Sequence, residues 1–192
     1  MNITSFIISS QAIRDRIIKK AGLDTGVLVA FIDNNMLLLS KPQIYIKKGM
    51  CYTYKLVVDQ TIGVLISKRH YSREDAISQT LSFLRDNNIE IIRDEAIDTA
   101  KRDELYNDLI KQRNKLKTKP LPEDSDLDIL ASYKVAGIDL IFTTNVKHFF
   151  ELGKYLEVYI EGVYSEKQNN VKEAEKMFRD LFWKRNKKFK RN

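Results

Sequence analysis

The feature that most constrains this 192-residue chain is an alternation of short apolar runs with stretches of helical periodicity. "GVLVAFID" (26–33), "IEII" (89–92), "IDLIFTT" (138–144) and "YLEVYIEGVY" (155–164) are brief, rich in β-branched and aromatic residues, and bounded by turn formers. Runs of that length and composition suit strands buried on both faces of a parallel sheet. Between them lie helical patterns. One opens at Ser72 and runs to about Arg85, with Ala76, Ile77, Leu81 and Leu84 on its apolar face. Another covers 94–117, with Ile97, Leu105, Leu109 and Leu116 on one side, before "KTKPLPED" stops it. A third, "SDLDILASYKVAG", is capped by Ser125 and closed by Gly137. "NVKHFFELGK" predicts one more short helix. Alternating strands and helices predict an α/β, three-layer sandwich with a central, mainly parallel sheet flanked by helices.

Other segments set weaker expectations. Residues 10–21 read as a helix capped by Ser10, lined by Ile13, Ile17 and Ile18, and stopped at Gly22. "MLLL" predicts a short helix and "KPQIYIKKGM" a surface loop or ribbon, while "YTYKLVV" fits a strand or the approach to a helix equally. Asp59 is placed to cap "QTIGVLISKR". The expected division is an N-terminal helical extension over 1–25, one compact domain over 26–164, and an amphipathic helix with a basic tail over 165–192.

Charge sharpens that last boundary. Lys and Arg total 33 against 26 Asp and Glu, a net charge of +7. Six of the basic residues, Lys184, Arg185, Lys187, Lys188, Lys190 and Arg191, fall in the final "KRNKKFKRN", which has no acid. Such a tail is a counter-ion for nucleic-acid phosphates or a solubilising terminus. No apolar run approaches the roughly 18 residues that span a bilayer, and no secretory signal is evident. The single cysteine, Cys51, forms no intrachain disulfide. A cytoplasmic address is expected.

Several chemistries are excluded by their motifs. There is no glycine-rich phosphate loop and no Gly-x-Ser-x-Gly elbow, and His70 and His148 lack paired metal-ligand spacing, so both are expected at the surface or as caps. Acids and amides at element ends remain. If 26–32 is a strand, Asp33 emerges at the carboxyl edge of the sheet; otherwise it is a turn or cap residue. Asp126 and Asp128 stand in the first turn of one helix and point in different directions around it. Asn145 either caps the helix that follows "IDLIFTT" or faces a ligand, because the carboxyl edge of a parallel sheet is where sites form. Brought together, these groups suit a divalent cation, since clustered carboxylates repel unless one neutralises them.

The blocks "VLVAFIDNN" and "SDLDILASYKVAGIDLIFTTN" resemble the PIN-domain nucleases, with "VKHFF" matching that family's usual ending. The resemblance spans about residues 26–161. It implies a metal-dependent endoribonuclease using Mg²⁺ or Mn²⁺ to hydrolyse RNA. Asp33 and Asp126 would then be metal carboxylates, Asp128 a partner acid, Asn145 the last corner, and Asn35, Thr143 and Thr144 orienting groups. The tail would hold the RNA backbone. One position departs from the pattern: Val64 stands where the family places a helix Glu, with Asp59 as a substitute. The alternative is therefore a catalytically degenerate PIN-like module that binds RNA or a protein, or a toxin with an antitoxin-like partner. A homodimer is also compatible, with Tyr155, Tyr159 and Tyr164 available for a contact or for base stacking, although the inward face of a strand is the simpler place for the first two.

Overall fold

A computed structural model of the chain describes residues 20–33, 40–116 and 121–163. The helix expected at 10–21 (its last two residues apart), Asn35, the "MLLL" helix, Tyr164 and the C-terminal helix with its basic tail lie outside these residues.

Five strands form one sheet: β1 Ala21–Leu23, β2 Cys51–Tyr54, β3 Glu90–Ile92, β4 Leu140–Thr143 and β5 Tyr159–Gly162. Every pairing is parallel, in the order β3-β2-β1-β4-β5. The helices are α1 Thr25–Ile32, α2 Ser40–Lys47, α3 Lys55–Arg69, α4 Arg73–Asp86, α5 Thr99–Arg113, α6 Asp124–Val135 and α7 Val146–Tyr155. A 3₁₀ turn, Asp94–Ala96, precedes α5.

The strand order decides which side each helix covers. From β1 the chain steps outward to β2 and β3, then crosses back past β1 to β4 and on to β5. With right-handed crossovers, the first two steps put α1 to α4 on one face and the last two put α5 to α7 on the other. The packing agrees: α1, α3 and α4 touch one another, and so do α5, α6 and α7. Leu23, Ile141 and Phe142 from the sheet, Leu28 and Leu65 from one layer, and Leu109, Leu127, Tyr133 and Phe149 from the other are fully buried. The result is the expected three-layer sandwich.

Two expectations about local structure are corrected. "GVLVAFID" is not a strand but belongs to helix α1, and the central strand is the short "AGL" before it, which includes residues expected to end a helix. A continuous apolar run carries no period, so a helix buried nearly all round looks like a buried strand. Val27, Leu28, Val29 and Phe31 are all buried, and Asp24 occupies the N-cap position just ahead of the run. Gly22 is required in β1 because a Cβ there would lie 2.9 Å from the Tyr133 ring. Likewise "KPQIYIKK" is mostly helix α2 rather than a loop or ribbon.

Smaller differences follow from capping. Asp59 sits inside α3, which starts at Lys55 directly after β2, so it caps nothing. α6 begins one residue before Ser125, with Glu123 as N-cap in a reciprocal capping box with Asp126. Ser72 caps α4 as expected, its Oγ accepting the Asp75 N–H at 3.0 Å. Tyr155 ends α7 and is exposed instead of lying on a strand.

Candidate functional site at the strand switch

β1 and β4 are neighbours whose onward connections leave in opposite directions, so the crevice beyond their carboxyl ends is the topological switch point of the sheet. Asp24 follows β1 and Thr143 ends β4. The Thr143 hydroxyl donates to Asp24 Oδ2 at 2.7 Å, and the Asn145 N–H donates to Thr143 Oγ1 at 2.9 Å. Asp24 is only 7% exposed. Burial pushes its carboxyl up from 3.8 to about 6, against the pull of hydrogen bonds from Thr143 and the Thr25 backbone. The negative charge of Asp126 adds to the rise, and His148 opposes it.

Asp126 reaches the same crevice from α6. Its Oδ2 meets His148 Nδ1 at 2.8 Å and accepts the Glu123 N–H at 2.9 Å. Both side chains are largely enclosed, at 15% and 13% exposure. His148 lies one turn into α7, so the helix that follows β4 delivers it to the acid. It is neither a surface residue nor a cap, which corrects the sequence expectation. His70 does end α3, in a left-handed conformation.

The other expected site residues divide sharply. Asp33 is at the far end of α1, where its Oδ2 accepts from Arg69 Nε at 2.7 Å. It does not emerge from the sheet edge, because the element before it is a helix. Asp128 turns away from Asp126 towards Arg102, whose Nε lies 3.8 Å from Asp128 Oδ1. Burial pushes the Asp128 carboxyl up, and the Arg102 charge partly offsets this. Arg102 also donates to Asp94 at 2.9 Å, to Asp103, and to the Tyr54 hydroxyl. Asp59 is exposed and paired with Lys55 at 2.5 Å. Asn145 is the N-cap residue of α7, with no side-chain capping hydrogen bond. Thr144 is exposed and packs so closely on Gly26 that a Cβ there would fall 2.0 Å from its hydroxyl.

Two residues of this region escaped the sequence reading. Asp24 was hidden by the three-residue strand, although Asp followed by Thr just ahead of an apolar run of helical length is an N-cap signal. Gln60 on α3 carries its amide oxygen to within 2.7 Å of the Thr25 hydroxyl, beside Asp24. Val64 is one turn further along the same helix and half-buried.

Among the described residues, no group of three or more His, Cys, Asp or Glu side chains is placed to hold a metal ion. Asp24 and Asp126 are the two acids of the crevice, and each already has a partner within the protein.

The sheet order and its helical layers are those of known structures. The chain aligns with VapBC2 from Rickettsia felis, solved bound to a DNA fragment from the promoter, at 20% identity and a TM-score of 0.55, over 74% of this chain and 97% of that one. DNA-bound VapBC from Salmonella typhimurium aligns at 16% identity and a TM-score of 0.51, over 76% and 98%. This chain has the PIN-like fold. No family model matches the sequence, and no curated protein matches it. The PIN-like architecture accounts for the crevice, since it sets the first strand and the fourth side by side with their carboxyl ends open. No helix among the described residues is long and apolar enough to cross a membrane.

Proposed function

We propose that the protein is a PIN-like module that binds RNA and does not cleave it through a bound metal. The observation that carries this reading is the self-satisfied crevice. Asp126 is held by His148 and its own helix cap, and Asp24 is buried against Thr143. Amides stand nearby, Gln60 against Thr25 and Asn145 at the start of α7. A protein-held Mg²⁺ or Mn²⁺ site gathers several oxygen ligands round one point, and no group of three His, Cys, Asp or Glu side chains is gathered so among the described residues.

Charge supports the RNA half of the reading. Residues 26–164 carry 19 Lys and Arg against 20 Asp and Glu, a nearly neutral balance with no net attraction for phosphate. The six basic residues of 184–191 attract it, and binding would fall with salt as their counterions are released. Both neighbours were solved with DNA bound, which supports a nucleic-acid setting at the level of the fold.

One observation favours a second reading, the metal-dependent endoribonuclease. Asp24 and Asp126 converge closely enough for the charge of one to raise the pKa of the other. In that reading Asp24 takes the place expected of Asp33, while Asp126, Asn145 and Thr143 keep theirs. The test is a labelled mixed-sequence single-stranded RNA incubated with Mg²⁺, Mn²⁺ or a chelator. The degenerate module binds it equally in all three and leaves it intact. Metal-dependent cleavage that disappears in Asp24→Asn and Asp126→Asn would replace the first reading with the second.

A further inference from the structure

We infer that Gln60 is the residue that keeps this crevice from being a divalent-cation site, and that a carboxylate there converts it into one. The inference rests on the reading of the natural crevice as metal-free. It begins from the number of acids in the crevice. The crevice has two carboxylates, Asp24 and Asp126, from elements on opposite faces of the sheet. A third carboxylate would come from a helix packed beside the start of α1.

α3 is that helix. It packs on α1 and begins directly after β2, the neighbour of β1. Its residue 60 reaches the first turn of α1, where the Thr25 hydroxyl donates to Gln60 Oε1 at 2.7 Å. The other candidates on α3 are less well placed. Asp59 projects into solvent and is paired with Lys55. Val64 lies four residues along, about 6 Å further up the helix axis by its rise per residue. The position that matters is thus not the one the sequence pattern indicates.

The neutral side chain at 60 also has a physical logic. Asp24 is buried and shares the crevice with Asp126. A third negative charge beside them would add to their mutual repulsion unless a cation entered. Glutamine keeps the hydrogen bond to Thr25 while adding no charge.

The experiment compares wild type, Gln60→Glu, Gln60→Asp and Val64→Glu by thermal melting with and without Mn²⁺, with Mn²⁺ binding read directly by calorimetry. In the absence of metal, Gln60→Glu is expected to melt below wild type. At Mn²⁺ a hundredfold above its dissociation constant, the variant should gain roughly 5–10 °C. Adding Asp24→Asn to that variant should abolish the gain, and Val64→Glu should show none. Folded Gln60→Glu and Gln60→Asp proteins that ignore Mn²⁺ overturn the inference, as does failure of both to fold even with Mn²⁺. A Mn²⁺ response in wild type is a separate outcome. It removes the metal-free reading of the crevice, and with it the role assigned to Gln60.

Discussion

Asp24→Asn should gain stability relative to wild type as pH rises through a defined window. The Asp24 carboxyl is raised from 3.8 to about 6 in the folded state. The native protein therefore holds this proton more tightly than the unfolded chain. As pH rises through about 4, the unfolded chain loses the proton first, and stability falls until the native group also ionises near 6. A shift of about 2 units corresponds to about 3 kcal/mol at 1.36 kcal/mol per unit. Asparagine is close in shape, can still accept the Thr143 hydroxyl, and has no proton to lose. Urea melts of both proteins at half-unit steps from pH 4 to 8 isolate the effect, because most other titrating groups are common to the two. The gap between variant and wild type should open by about 3 kcal/mol between pH 4 and 7. A constant offset depends on whether the new amide hydrogens find partners, and it does not affect the slope. Parallel curves would refute the reasoning, since they would mean that Asp24 ionises in the fold as it does in the unfolded chain.

Three other outcomes are expected. Tyr133→Phe should cost about 1–3 kcal/mol in chemical denaturation, because the Tyr133 hydroxyl donates to Leu23 O at 2.6 Å and accepts the Tyr54 N–H in a buried setting. His148→Ala should cost about 1–2 kcal/mol through loss of the contact to Asp126, and calorimetry should show whether releasing that carboxylate lets Mn²⁺ bind to the two-acid crevice. The account predicts that it does not. Removing residues 184–192 should weaken single-stranded RNA binding and reduce the salt slope by about 4, at roughly 0.7 per basic contact for the six charges lost. An unchanged slope would show that the tail does not carry the binding.

The layers of this fold were legible in the sequence because most of its elements announce themselves. α4 has a serine cap and an apolar face, α6 an acidic first turn, and β4 a β-branched and aromatic run ending in threonines. The failure at β1 and α1 has a specific cause. A three-residue strand is too short to show a period, and α1 is buried on so many sides that its polar face vanishes. That single misassignment moved the first acid from Asp24 to Asp33, nine positions along and at the opposite end of a helix. Asp126 stands in the first turn of α6, and Thr143 and Asn145 at and just beyond the end of β4, as the sequence placed them, because helix α6 and strand β4 were recognised. The partner of Asp126 was not, since a contact from His148 across 22 residues leaves no local pattern. Gln60 stayed hidden for the same reason: its significance lies in reaching Thr25, 35 residues away.

Titrating Mn²⁺ into the full-length wild-type protein at pH 7.5 in a calorimeter, with Asp24→Asn and Asp126→Asn alongside, tests the central claim most directly. A crevice whose two acids are already partnered should give no saturable heat, and the three proteins should behave alike. Saturable binding to wild type that is lost in both variants would contradict the account.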